Sequence, residues 1–200
     1  MMLKKTGTAA LFAMAITLLG GPVAHAAGFV YANALAPLYA GPSGGGSVGS
    51  VTPGTPLAVV APGSGVREQV LVEGWSRKGS DAVVLQAPGL NIVLAKLTPA
   101  ARAHRKLLGQ RRDRAGATWE HVEVPVWVAR RDVAASVNTV WAAAYKLYSA
   151  RCKACHALRA PGTRTANEWP RILNVMEKNA GFNVQQAALV TKYMQEHAKK

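Results

Sequence analysis

The sequence predicts two domains, a small all-β barrel or sandwich followed by an all-α unit. Three observations carry this. Residues 28 to about 132 hold many short apolar runs separated by Gly and Pro turn signals. From about residue 133 the apolar positions recur at helical spacing, as in Trp141, Tyr145 and Tyr148 at i, i+4 and i+7. The only two cysteines of the 200 residues, Cys152 and Cys155, fall in that second segment, with His156 directly after.

The N-terminus comes first. Lys4 and Lys5 precede an apolar run from Ala9 to Leu19, and Gly20, Gly21, Pro22 and Ala24-His25-Ala26 follow. A basic start, a short apolar stretch and a small-x-small ending describe a signal peptide cut after Ala26. The run is shorter than the ~20 apolar residues a membrane-spanning helix needs, so an uncleaved anchor is the weaker reading. The expected division is 1–26 signal peptide, 27–132 β domain and 133–200 helical domain. The expected product is exported to the periplasm, with no transmembrane anchor in the mature form.

Within the β segment, Val30-Tyr31 and Ala36-Pro37-Leu38-Tyr39 open, and Gly41 to Ser47 is a flexible loop. Val51 and Leu57-Ala58-Val59-Val60 give strand signals broken by Pro53-Gly54. Val66, Val70 and Val72 are spaced as a half-buried strand ending near Gly74-Trp75. Val83-Val84-Leu85 and Ile92-Val93-Leu94 flank a Pro88-Gly89 turn. Thr98 as N-cap and Pro99 at the first position predict a helix to about Leu108. Trp119 to Val124 alternates, and Pro125 separates it from Val126-Trp127-Val128.

In the helical segment, a first helix carries the aromatic stripe into the cysteines. Pro161-Gly162-Thr163 is a loop. Asn167 caps a helix with Trp169, Ile172, Leu173 and Met176 on one face, closed by Gly181. Asn183 caps a last helix with Val184, Ala187, Ala188, Val190, Tyr193 and Met194. First and last helices are expected to pack together.

Cys152-Lys153-Ala154-Cys155-His156 is the C-x-x-C-H pattern of covalent c-type haem attachment. Positions i, i+3 and i+4 share a helix face, so both sulfurs reach the haem vinyl groups while His156 faces the iron. Two other readings compete. A structural zinc site needs about four ligands, and no second cysteine pair completes one. A redox dithiol usually sits in a βαβ setting, and these flanks read as helix. Three helices around such a motif is the minimal plan of a small class I-like cytochrome c with one haem c. For the sixth ligand, Met176 and Met194 are the thioether candidates past the signal, and His104, His121 and His197 the imidazoles. Met176 is preferred because the chain can fold back over the haem after a loop; the plain alternative is that it fills core. His104 and His121 read as surface or strand-face residues.

The formal charge is +14. Losing Lys4 and Lys5 from 24 Lys+Arg against 10 Asp+Glu leaves +12. Such a surplus favours acidic partners and speeds encounter at low salt. Nucleic acid is not expected outside the cell; an acidic protein surface or anionic lipid is. Arg102, Arg105, Lys106, Arg111, Arg112 and Arg114 cluster at the end of the expected helix and after it. They are either a solvated face or a docking patch for an acidic partner.

Two resemblances add to this. Leu38-Tyr39, Pro53-Gly54-Thr55-Pro56-Leu57, Val72-Glu73-Gly74-Trp75 and Trp127-Val128-Ala129 fall in the order of a bacterial SH3-like barrel. Such barrels bind partners or support a neighbouring domain. Tyr148, Cys152, Cys155-His156-Ala157-Leu158, Thr165 to Pro170, Met176 and Tyr193 to Ala198 resemble the C-terminal monohaem domain of the multihaem cytochromes of trimethylamine N-oxide respiration. That resemblance implies Cys152 and Cys155 as attachment sites, His156 as proximal ligand and Met176 as distal ligand. It implies a donor of electrons to a periplasmic molybdenum reductase. The tetrahaem domain of that family has no counterpart motif here, so quinol oxidation by this chain is not implied.

The leading functional reading is a periplasmic electron-transfer protein, not itself an enzyme. It takes single electrons from a membrane quinol dehydrogenase or another cytochrome and passes them to a molybdenum-dependent N-oxide or S-oxide reductase. The alternatives are a haem sensor or enzyme with an open sixth site, and a partner-binding module in which the haem is structural.

Overall fold

The computed structural model describes residues 28–61 and 65–199. The expected signal peptide, 1–26, lies outside the described residues. Among the described residues no helix is long and apolar enough to cross a membrane.

Among the described residues ten strands form one antiparallel sheet: β1 (Phe29–Ala32), β2 (Ala36–Tyr39), β3 (Ser47–Val51), β4 (Pro56–Ala61), β5 (Arg67–Arg77), β6 (Ser80–Ala87), β7 (Leu90–Leu97), β8 (Lys106–Arg112), β9 (Thr118–Ala129) and β10 (Val133–Ala134). β5 pairs with β9 along its whole length, from Arg67↔Ala129 to Arg77↔Trp119. That ladder closes a barrel, because β5, β6, β7, β3, β2 and β9 form a ring that returns to β5. β4, β1 and β10 extend from β5, and β8 extends from β9.

Period two fills the barrel. Val70 and Val72 of β5 and Val122, Val124, Val126 and Val128 of β9 all point into one core with Leu38, Val51, Leu57, Val84 and Leu94. Fully burying such a side chain is worth about 1.5–3 kcal/mol. Where β5 passes from its β4 pairing to its β6 pairing, Gly74 lets the backbones touch: a Cβ there would lie 2.6 Å from the Leu85 carbonyl oxygen.

Two local expectations fail for tertiary reasons. The helix at Thr98 stops early: α1 spans Pro99–Arg102 only, and Lys106–Arg112 is drawn into a ladder with β9 instead. Thr98 does not cap it; its hydroxyl donates to the Val48 carbonyl at 2.9 Å. Pro125 does not interrupt β9. On the edge opposite β5, β8 reaches only to Glu123 and β2 begins at Trp127. Pro125 sits between them, where a missing N–H breaks little.

Three further helices follow: α2 (Val137–Cys152), α3 (Trp169–Met176) and α4 (Val184–Glu196). The Ser136 hydroxyl accepts from the Asn138 amide at the start of α2. Asn183 and Gln186 form a reciprocal capping box on α4. Asn167 has another use: it accepts from the Asn91 amide at 2.7 Å and donates to the Gly89 carbonyl at 2.9 Å, fastening the chain before α3 to the β6–β7 hairpin.

The expected fold class, a small SH3-like barrel followed by an all-α class I-like cytochrome c domain, is contradicted. The described residues are mostly β, one ten-stranded sheet that closes into a barrel, with few helices. The helices own only a small core, Tyr148, Trp169, Leu173, Val190 and Met194. Their other faces rest on the barrel. Trp141 of α2 lies over Gly54, whose φ of +74° and missing Cβ admit the ring. Lys192 of α4 is 3% exposed and donates to the Val93 carbonyl at 2.8 Å and the Thr52 hydroxyl at 3.3 Å. Gln195 donates to the carbonyls of Asn91 and Ala166, both at 3.0 Å. Gln185 exchanges two bonds with the Leu35 backbone.

Burial pulls the Lys192 ammonium down from its ordinary value to about 8, with Glu196 opposing. The folded chain thus holds fewer protons than the unfolded chain between pH 8 and the ordinary lysine value, and stability gains with pH across that window. Relative to Lys192→Met, the native chain should gain about 1.5 kcal/mol of unfolding free energy from pH 8 to 9.5 in denaturant titrations. Parallel curves for the two proteins would show that Lys192 is not buried as described.

Candidate functional site

The motif sits where α2 ends. Cys152 is its last residue, Lys153 to Cys155 make a turn, and His156 lies on the bend after it. The three side chains expected on one helical face are therefore divided: Cys152 is helical and packs against the small helical core, whereas Cys155 and His156 stand exposed on the turn. Both thiols are free. Burial, with the neighbouring Cys155 second, holds the Cys152 thiol above its usual range, so it is protonated at neutral pH.

The His156 ring turns Nδ1 toward the Ala157 carbonyl at 2.8 Å. A proton on Nδ1 leaves the Nε2 lone pair unspent, the tautomer that iron binding through Nε2 requires. Two unbridged thiols at this spacing beside such a histidine fit covalent haem. The same side chains do not gather for a bare ion: among the described residues no group of three or more His, Cys, Asp or Glu could hold a metal.

The chain after the motif is fastened back onto α2. The buried Tyr148 hydroxyl donates to the Arg159 carbonyl at 2.7 Å and accepts from the Arg159 amide at 2.9 Å. Trp169 Nε1 donates to the Pro161 carbonyl at 2.8 Å. Residues 157–161 are thus held between α2 and α3, and His156 with them. The sequence marks Tyr148 as part of an aromatic stripe but gives no sign of this clamp, because both partners are backbone atoms.

The other candidate ligands are dispersed. Met176 ends α3 and is 38% exposed, although Trp169 and Leu173 of the same helix are buried. Its thioether is not consumed by the core, and no described hydrogen bond or ring contact joins it to His156. Met194 is fully buried beside Val190 and Trp169. His197 caps α4 and lies tilted against Tyr193, ring centroids 4.4 Å apart. His121 lies flat on Trp75 at 4.7 Å, its Nε2 2.9 Å from Glu73. His104 is exposed on the turn after α1.

Comparison with known proteins gives one family. The TorC third cytochrome c domain matches residues 24–133, the barrel and not the segment with the cysteines. Cytochrome c-type protein TorY of Escherichia coli O157:H7 is 31% identical over 77% of this chain and 42% of its own length. TorY of Haemophilus influenzae is 30% identical over 66% of this chain and 36% of its own. Cytochrome c-type protein TorC of Escherichia coli K12 is 25% identical over 84% of this chain and 44% of its own, a span that necessarily includes residues 152–156. The chain thus spans about two-fifths of the length of these relatives. No solved structure matches it.

Removing the Tyr148 hydroxyl tests the clamp. Tyr148→Phe leaves the Arg159 amide and carbonyl without their partner and should lower stability by about 1–3 kcal/mol in denaturant unfolding. It should also raise amide exchange across 157–161. Unchanged exchange there would show that the hydroxyl does not hold this segment.

Proposed function

The chain belongs to the family of the TorC third cytochrome c domain, among the multihaem cytochromes of trimethylamine N-oxide respiration, and from that premise we propose that it is a periplasmic c-type cytochrome that carries single electrons. Residues 1–26 act as the export signal. Cys152 and Cys155 would hold one haem c through their sulfurs, and His156 through Nε2 and Met176 through its thioether would be its iron ligands. When bound, that group would provide one-electron ferric/ferrous chemistry, and a methionine ligand would raise its potential.

The observation that carries this reading is the set of unspent donors on one turn: two free thiols and a histidine whose Nδ1 already has its acceptor. The chain's own residues do the rest. Cys152 is seated on the helical core, the Tyr148 clamp fixes the segment after His156, and the exposed Met176 keeps its thioether available. Exposure of Cys155 and His156 puts the reactive region at the surface, where a redox partner can approach. The partners that fit the family are a membrane quinol dehydrogenase or another cytochrome as donor, and a molybdenum-dependent N-oxide or S-oxide reductase as acceptor.

Expression in cells competent for cytochrome c maturation tests this. The polypeptide should gain the mass of one haem, and Cys152→Ala/Cys155→Ala should lose it. The native spectrum should be six-coordinate and low-spin with a methionine–iron charge-transfer band. Met176→Ala should abolish that band and admit carbon monoxide to the ferrous form. A native protein that is already high-spin and binds carbon monoxide would favour a sensor or enzyme. A mass equal to the bare chain would end the reading.

A further inference from the structure

Two turns meet at one end of the barrel and bring together cations that the sequence scatters. The β5–β6 hairpin turns at Lys78-Gly79, and the β8–β9 loop runs from Asp113 to Ala117. They are strapped side by side: the Lys78 amide donates to the Thr118 carbonyl at 3.0 Å. In the ladders, Trp119 stands opposite Arg77 on one side and Arg111 on the other, while Thr118 stands opposite Arg112. Arg77, Lys78, Arg111, Arg112 and Arg114 are all exposed.

The nearby carboxylates are already engaged. Asp113, inside the cluster, accepts from Trp119 Nε1 at 2.8 Å and from the Ala117 amide at 2.9 Å. Those bonds, the indole foremost, hold its carboxyl below the usual range, and Arg77 contributes weakly. Asp81 binds Arg102, and Glu120 binds Arg105 at 2.8 Å. Among the described residues Lys78, Arg112 and Arg114 have no carboxylate within ion-pair distance. Arg111 lies 5.4 Å over the Trp75 ring.

We propose that this end of the barrel is the docking surface for an acidic protein partner, with Arg77, Lys78, Arg112 and Arg114 supplying the complementary charge. The inference deepens the electron-carrier reading and rests on it for the partner's redox role. An acidic protein fits better than a membrane. The turns carry Lys78-Gly79 and Arg114-Ala115-Gly116, with no bulky apolar side chain to insert, and Trp119 is buried with its N–H spent. The cations stand on hairpins fixed by backbone bonds, which favours register with a matching set of carboxylates and fast, salt-sensitive encounter.

The test uses the full haem-loaded chain and two probes, a poly-L-glutamate of about 20 residues and vesicles of phosphatidylglycerol in phosphatidylcholine. At low salt the glutamate chain should bind and shift the backbone amide resonances of 77–80 and 111–118, and screening should reverse it. Lys78→Glu/Arg112→Glu/Arg114→Glu should weaken that binding about tenfold or more, whereas Arg131→Glu/Lys146→Glu should change it less than about twofold. The milder Lys78→Gln/Arg114→Gln should give an intermediate loss, which guards against a folding defect. Shifts spread over the whole surface, or equal binding by both charge reversals, would overturn the proposal. So would vesicles engaging the same amides more tightly than the glutamate chain. No readout needs the iron, so a failed haem assignment leaves the docking result standing, and a failed docking result leaves the haem assignment standing.

Discussion

A lysine ammonium buried between a helix and a barrel governs how this molecule is assembled. Lys192 reaches from α4 to the Val93 carbonyl and the Thr52 hydroxyl, with Glu196 one turn along its own helix at 3.6 Å. Burying an ammonium costs several kcal/mol unless oxygens replace its water. Here they do, and their positions on β7 and after β3 dictate where α4 can lie. Gln195 and Gln185 repeat the logic with neutral amides. Because polar partners are directional, the seam specifies one seating of the helix where an apolar contact would allow several.

From that seating the site follows. α4 packs on α2 and α3, so Tyr148, Trp169, Leu173, Val190 and Met194 close a small core. Cys152 leans on that core, and the Tyr148–Arg159 clamp returns the chain beside it. What stays outside is the set of proposed haem-binding side chains, Cys155, His156 and Met176, all exposed. The barrel supplies a stiff body, and the short helices supply the turn that presents the donors. The cationic hairpins at the barrel end are joined through the β5–β9 and β8–β9 ladders, so the proposed docking face is built on the same sheet.

How much of this the sequence discloses depends on the range of the interaction. The alternation in Trp119–Val124 and the Pro88-Gly89 turn are local signals, and strands and hairpin stand where they fall. Asn183 and Gln186 lie three residues apart, so their capping box is legible too. Thr98-Pro99 gives an equally good local signal, yet Lys106–Arg112 pairs with β9, a partner beyond any local window. Asn167 has the chemistry of a cap but spends it on Gly89 and Asn91 across the chain. The same distance effect hid the fold class: Lys192 and Gln195 bond to Val93, Thr52 and Asn91, about a hundred residues or more away in the chain, and no local pattern marks them as the seam. At the site, the residue types were visible in the pentapeptide, whereas the helix end inside it was not.

The most direct measurement is native-state hydrogen exchange of the full chain in rising denaturant, comparing amides of Val122–Val128 in β9 with those of Val190–Glu196 in α4. A helix seated by a buried polar seam opens with the barrel, so both sets should merge into one unfolding reaction with the same free energy and denaturant slope. Opening of α4 at distinctly lower free energy, with β9 undisturbed, would mean that the seam does not hold and that the helical segment stands apart from the barrel.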